Sequence, residues 1–334
     1  MENFLSYMDS VVHSLKSVSH FSAAHVCSSA LHSFSCFLEA KKRDKSVQRL
    51  DGCLLRAYES WLLGNNRAAN TISTYIRSLR AVHYRMAAEY DFNPTPSIFK
   101  DVYTGVKSTG GRALARRTCS RLLGGDGMLQ SGGIQQPGGT GQPDARLRVA
   151  ADFFSLQFLF CGMPYVDLYH LRKADLRGNV LTYRRHKTGV EISLAVPADA
   201  LALLRRHADA DPASPYLISM NRGAYKSFHE NTPEAEIANA IYCHSLRMYN
   251  VELHRLSTFL ALGEKLSSYS PRHTWADIAF HNNVPVGLIS RAMGHTSIPT
   301  TEFYLKPFES DEIGKANSKV IRLVKGGGKI TKSA

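Results

Sequence analysis

Between Ser22 and Tyr90 the apolar residues recur at steps of three or four rather than in alternation, which commits this stretch to helices. Cys27, Leu31, Phe34 and Leu38 line one face; Leu50, Leu54, Tyr58 and Leu62 line a second; Ile72, Ile76, Leu79, Val82 and Met86 line a third. Helices with apolar stripes of this kind bury them against one another, so the spacing predicts a small helical bundle. Asn70 and Thr71 stand where the third helix starts and are expected to cap it.

Past the bundle the period is lost. From Asn93 to Arg117 the chain gathers Pro94, Pro96, Gly110 and Gly111, and ends in the basic run Arg112, Arg116 and Arg117, as an interdomain linker would. The glycine-rich stretch from Gly124 to Gly141 has too few apolar residues to pack and is expected to be a mobile surface loop without chemistry. Apolar density returns from Leu147 to Leu171, where a buried helix opens a second core. Residues 178–197 then alternate like two strands around His186, Lys187, Thr188 and Gly189, which predicts a hairpin with Lys187 at or near its tip. The remainder reads as helical from Thr232 to Val324 and ends in a basic, glycine-broken tail.

A chain of 334 residues exceeds the usual size of one core, so two domains are expected. The fold class that follows is mainly α with a small antiparallel β-sheet (α+β). Its parts are a helical domain over residues 1–105, a basic linker over 106–117, a second domain over 118–322 and a disordered basic tail over 323–334.

Lysine and arginine number 41 against 28 acids, a formal charge of +13, with a sequence pI near 9.5, so a polyanionic partner is indicated: nucleic acid, or an anionic membrane surface. No stretch approaches the ~20 apolar residues that span a bilayer, and early acids set the N-terminus apart from a signal peptide. A cytoplasmic protein without a membrane partner is therefore expected. The six cysteines are scattered without CxxC pairs and read as reduced, buried thiols. Arg77, Arg80 and His83 share a stripe beside the apolar face of the third helix, equally compatible with tracking a phosphate backbone and with a solvated basic face. The linker arginines Arg112, Arg116 and Arg117 would neutralise phosphates while crossing a duplex; plain flexibility is the alternative.

The most informative stretch is YSPRHTWADIAFHNNVPVGLISRAMGHTSIPTTEFYL, residues 269–305, with Arg272, the step Met293-Gly294-His295, Thr301, and Tyr304 nine residues after His295. It resembles the C-terminal signature of the tyrosine recombinases, or phage-type integrases. In that resemblance Lys187 matches the family's hairpin lysine and NTISTYIRSLR falls in its core-binding domain, so the likeness spans roughly residues 20–310. SYSPRHTWA and CGMPYVDLYHLRK are similar to recombinases of Bacteroidetes, among which inverting and integrating members both occur.

Breaking and rejoining a phosphodiester needs an oxygen nucleophile, cationic donors for the transition state and a proton for the departing 5′ oxygen. The resemblance implies Tyr304 as nucleophile, its phenol (ordinary pKa ~10) leaving a 3′-phosphotyrosyl ester reactive enough to be resealed without ATP. Arg272 would hold the nonbridging oxygens with its planar, permanently charged fork. His295, brought close by the turn at Gly294, would donate to the same phosphate or assist proton transfer. Lys187 would act as general acid. Tyr269 stands where many relatives place histidine and would give the phosphate one hydrogen bond. His273 would contact the phosphate or, as favoured here, support a neighbour by a hydrogen bond. His273, His281 and His295 lack HxxxH or comparable spacing, so no metal and no other cofactor is expected. The implied substrate is a double-stranded DNA recombination site held in a C-shaped clamp, two such sites being joined by a homotetramer. The residues after Tyr304, Phe308 and the run from Ile313 to Val324, would dock on a neighbouring protomer or on their own domain.

The match fails at Cys161, where the family carries a further catalytic arginine. Losing one donor costs on the order of 10²- to 10³-fold in rate, and Arg148, Arg172 and Arg184 are the candidates to replace it. Asp277 also departs, standing where small hydroxyl residues are usual. Two rival functions stay open: an architectural DNA-binding protein that no longer cleaves, and a monomeric topoisomerase of the same tyrosine chemistry.

Overall fold

The computed structural model describes residues 2–94, 96–107, 113–123, 145–220, 233–302, 304–305, 317–318 and 321–322. Arg112, the glycine-rich stretch, Phe308 and the tail from residue 323 lie outside them, as does most of the segment from Ile313 to Val324. The chain divides into two compact units. One comprises Met1–Thr109, Asp209–Pro215 and Ser219–Met248; the other Gly110–Ala208, Tyr216–Ile218 and Tyr249–Ala334.

The first unit is built on α1 (Phe4–Ser17), α2 (Phe21–Ala40), α3 (Gly52–Gly64) and α4 (Ala69–Glu89), followed by a 3₁₀ turn at Pro96–Phe99. The three apolar stripes read from the sequence do face the core, with Leu31 partly and the other residues fully buried. α1 is a fourth helix that the periodicity reading left out, and it adds Phe4, Tyr7, Met8, Val11 and Val12. At the centre the Tyr58 ring meets Phe34 edge-on at 5.1 Å and Phe37 at 5.2 Å, while its hydroxyl donates to Ser33. Asn3 and Asp51 cap α1 and α3 by accepting from the amides of Ser6 and Leu54, each worth about 1 kcal/mol.

Two expectations are corrected here. α4 starts after Ala68 with no side-chain cap, because Asn70 lies within its first turn. Its side-chain amide instead donates to the Lys107 carbonyl and accepts from the Lys107 amide, both at 2.8 Å. His83 leaves the basic stripe altogether: it is 3 % exposed and packs against the rings of Tyr84, Phe92 and Phe99. Burial, and secondarily the charge of Arg49, hold its pKa below the ordinary histidine value, so it is a neutral core residue. Arg77 remains exposed and Arg80 partly exposed on α4.

All four helices end alike. Ser19, Lys42, Asn66 and Asp91, one residue past each cap, take φ of +58°, +50°, +54° and +47°. The next amide closes back on the helix at 2.8 to 3.1 Å in each case, as in Arg43 to Leu38 and Arg67 to Leu62. Lysine takes the left-handed conformation at a cost of about 1–2 kcal/mol that glycine avoids, partly offset by glycine's larger loss of chain entropy. Lys42→Gly is therefore expected to stabilise the protein by about 0.5–1 kcal/mol, and Asn66→Gly by less. Denaturant unfolding of both variants checks this; a destabilised Lys42→Gly would show that the lysine side chain supports the helix end.

The second unit holds α5 (Arg116–Leu122), α6 (Ala145–Leu159), α7 (Tyr165–His170), β1 (Leu176–Arg177), β2 (Val180–Arg184), β3 (Glu191–Ala195), α8 (Ala198–Arg206), the second half of α9 (Pro233–Phe259), α10 (Ser270–His281), α11 (Val286–Ala292) and α12 (Ile298–Glu302). Among the described residues the architecture is mainly helical with a small antiparallel sheet in the order β1-β2-β3, as the sequence predicts. β2 and β3 pair Leu181 with Leu194, Tyr183 with Ile192 and Arg184 with Glu191. Leu181, Tyr183 and Ile192 point inward; Arg184 and Glu191 form an exposed ion pair at 3.4 Å. Inside α6 the fully buried Gln157 donates to the carbonyls of Met163 and Ser268 and accepts from the Tyr249 hydroxyl. One amide thus fixes both the turn after α6 and the approach to α10, and these two segments carry the candidate site.

Candidate active site

Arg272 lies in the first turn of α10, where Pro271 suits a position that needs no amide donor. It is 2 % exposed, among the largest fully buried side chains of the protein. Its Nη1 donates to the Gly162 carbonyl at 2.9 Å, and its Nη2 to the Met293 carbonyl at 2.7 Å and to His295 Nε2 at 2.7 Å. The turn supplying the first acceptor has two left-handed residues in succession, Cys161 at φ +56° and Gly162 at +71°. A Cβ on Gly162 would stand 2.8 Å from the Arg272 Cα, so only glycine permits this approach.

His295 follows the end of α11, where Gly294 at φ +65° turns the chain and the His295 amide closes back onto Ser290 at 2.9 Å. Because Arg272 can only donate, His295 Nε2 must accept, which places the ring proton on Nδ1, donating to the buried Thr301 hydroxyl at 2.9 Å. Desolvation, and then the charges of Arg272, Arg185 and Lys187, push its pKa down to about 4. The imidazole is neutral at pH 7.

Tyr304 sits two residues past α12, its amide bonded to the Thr301 carbonyl. Its ring centroid lies 4.7 Å from that of His273 and 5.3 Å from that of His295, and the Arg272 guanidinium carbon is 5.4 Å from it. The same ring covers the small apolar cluster of Ala276, Ala279, Ile289 and Met293. Four of the expected site residues, Arg272, His273, His295 and Tyr304, therefore meet within one chain. Tyr269, immediately before α10, is 49 % exposed. Its phenol is raised by desolvation and by the nearby Tyr304, against the lowering effect of Arg272 and Arg185.

Lys187 is exposed in the β2–β3 turn, which is closed by bonds from the Arg185 amide to Val190 and from the Gly189 amide to Arg185. Thr188 fastens this turn to the Gly294 carbonyl at 3.2 Å. The fastening brings the lysine close enough for its charge to act on His295.

Sequence reading missed Arg185 and Asp167. Arg185 is 6 % exposed and Asp167 3 %; the Arg185 Nη1 donates to Asp167, which also accepts from the His186 amide at 2.8 Å. The signal was in the strand period: Leu181 and Tyr183 point inward, and two residues on the next inward position is Arg185. Gly294 makes room for it, since a Cβ there would fall 2.5 Å from Arg185 Cγ and 2.8 Å from Ile192 Cδ1. By contrast Arg148, Arg172 and Arg184 are all exposed. Cys161 lies partly buried, and burial raises its pKa, so the thiol stays uncharged. Asp277, further along α10, has its carboxylate 3.6 Å from His281 Nδ1. Arg116 and Arg117 are exposed at the start of α5. Among the described residues no group of three or more histidines, cysteines or acids is placed to hold a metal ion.

A histidine whose folded pKa lies below its unfolded value of ~6.5 binds protons more readily in the unfolded chain. Stability is then lost as pH falls from the unfolded pKa toward about 4. His295→Gln is expected to remove that part of the loss, changing the wild-type-minus-variant unfolding energy between pH 7 and 5 on the order of 1 kcal/mol, discounted because the ring is partly exposed. Denaturant melts at the two pH values measure it; a pH-independent difference would mean the imidazole titrates normally.

Residues 3–92 match the family model of the phage integrase SAM-like domain. No curated protein sequence matches the chain. Among solved structures it is similar to the XerH site-specific recombinase bound to difH substrate in a pre-cleavage complex, with 14 % identity, a TM-score of 0.57, and coverage of 88 % of this chain and 79 % of that one. The Tn1549 transposon integrase with a circular intermediate DNA gives 12 % identity and a TM-score of 0.58 over 96 % of this chain and 100 % of that one. A lambda integrase dimer bound to a COC′ core site gives 12 % and 0.53 over 90 % and 76 %. The chain thus carries a phage integrase SAM-like domain and has the tyrosine recombinase fold.

Proposed function

We propose that this protein is a site-specific DNA recombinase of the integrating or inverting type, which cleaves and rejoins double-stranded DNA through a 3′-phosphotyrosyl intermediate. The observation that carries the reading is the position of Tyr304, with His273, His295 and Arg272 packed around its ring in a single chain. A phenol held by packing beside a buried guanidinium is a nucleophile placed next to the group that would bind its target phosphate. The family match and fold likeness, to recombinases solved on their DNA sites, support the same substrate class. The charge of +13 suits a polyanion.

In the proposed reaction the Tyr304 oxygen attacks the scissile phosphorus and loses its proton, and the P–O5′ bond breaks to leave a free 5′ hydroxyl. Arg272, relinquishing a carbonyl or the imidazole as partner, would donate to the nonbridging oxygens. His295, neutral before DNA arrives, offers Nε2 as an acceptor for the phenolic proton once Arg272 turns to the phosphate. Lys187, on its exposed turn, would protonate the departing oxygen, and Tyr269 would add one hydrogen bond. Rejoining reverses these steps with another strand's 5′ hydroxyl, and carrying it through on two duplexes calls for a homotetramer. Arg77 and Arg80 on α4, Arg116 and Arg117 on α5, and Arg112 would contact phosphates flanking the cleaved one.

A nicked suicide substrate containing the site should trap a covalent protein–DNA adduct, abolished by Tyr304→Phe and unaffected by a chelator. Absence of an adduct with the wild-type protein would favour a DNA-binding protein that does not cleave. Relaxation of supercoils without any recombinant product would favour a topoisomerase.

Lys187→Ala is expected to slow cleavage by about 10²–10⁴-fold, the usual contribution of a general acid. A substrate with sulfur at the 5′ bridging position, a better leaving group, should restore most of the rate. A deficit that persists on the sulfur substrate would remove Lys187 from the proton-donor role.

A further inference from the structure

The buried Arg185 has no place in the reading taken from the sequence, and its surroundings do not satisfy it. Of its donors, Nη1 meets Asp167, while Nε is buried without any hydrogen-bond partner. A guanidinium more than nine-tenths buried with an orphaned donor is a group awaiting an acceptor. Its stem passes directly over Gly294, the residue before His295, and its charge is felt at both His295 and Arg272. Arg272 bonds to the His295 imidazole, and the charges of Arg185 and Lys187 reach it as well. The one carboxylate among them, Asp167, is already engaged by Arg185 and the His186 amide. Such an excess of positive charge is complementary to a monoanionic phosphodiester. Cys161, where the resemblance implies an arginine, is an uncharged thiol on a strained left-handed backbone that leads into the Gly162 carbonyl bonded to Arg272.

We infer that Arg185 is a second phosphate-clamping residue, supplied from the end of β2 in place of the arginine missing at Cys161, with Asp167 holding it toward the scissile phosphate. The inference rests on the strand-transfer reading above. It accounts for three features together: the unpartnered Nε, the burial of a charged residue at the mouth of a hairpin, and the need for glycine at position 294. A bound phosphate would accept from Nε or the free Nη2 while Asp167 keeps Nη1, so binding adds an acceptor without breaking the ion pair.

The test uses the full-length protein on a nicked suicide duplex with an ordinary phosphodiester, and on one with a methylphosphonate at the scissile position, which lacks one nonbridging oxygen and its negative charge. Arg185→Ala should retain DNA binding and lose about 10²- to 10³-fold in cleavage rate on the phosphodiester, the typical effect of removing one transition-state donor. On the methylphosphonate that deficit should largely disappear, whereas the deficit of Lys187→Ala should not. Because Arg185→Ala strands the buried Asp167, the double variant Arg185→Met/Asp167→Asn, which keeps an acceptor for the His186 amide, is measured beside it and should show the same pattern. An equal deficit on both substrates would overturn the clamp and make Arg185 a structural residue. So would cleavage at the wild-type rate by either variant. Should the wild-type protein itself form no adduct on the phosphodiester, the strand-transfer reading fails first and takes this role with it.

Discussion

The buried guanidinium of Arg272 is the point at which the second unit is tied together. Its three acceptors come from separate segments: Gly162 from the turn between α6 and α7, Met293 from the end of α11, and His295 from the start of the next connection. None is a carboxylate, so the charge is solvated by dipoles and not neutralised. Burying a cation in this way costs several kcal/mol unless its donors are all engaged. The surrounding turns are correspondingly over-determined. Gln157 anchors the Met163 and Ser268 carbonyls on either side of the arginine, and Thr301 fixes the imidazole it contacts.

Two glycines make this convergence sterically possible, each for a double reason. Gly162 combines a left-handed backbone with contact against the Arg272 Cα, and Gly294 combines the same backbone with the Arg185 stem crossing over it. Each lets a charged side chain come within van der Waals distance of a main-chain turn, where carbonyl and imidazole acceptors are available. The result is positive charge held in place by packing.

That charge also determines the state of the histidine between the cations. Desolvation and three neighbouring positive charges make protonation of His295 unfavourable, so its Nε2 is an acceptor in the free protein. An arriving anion would partly cancel those charges and raise the imidazole's proton affinity, coupling its protonation to occupancy of the pocket. The phenol of Tyr304 packs on this imidazole and on His273, and its ring also seals an apolar cluster. The surface that closes the helices is thus the one that fixes the ring.

Helical period alone determined the three apolar stripes of the bundle, because a side chain's face follows from the backbone's 3.6-residue turn wherever the helix packs. Alternation around residues 186–189 likewise marked the hairpin, and the resemblance of residues 269–305 to the tyrosine recombinase signature singled out Arg272, His295 and Tyr304. Only the tertiary structure decided what long-range contacts control. Asn70 looked like a cap but serves Lys107, 37 residues on, and His83 looked like a surface cation but fills the core under Phe92 and Phe99, which lie beyond its helix. Arg185 was hidden for the same reason. Its inward direction follows from strand alternation, but its burial beside Asp167, Gly294 and His295 depends on the folding together of segments distant in the sequence, and no local pattern records that.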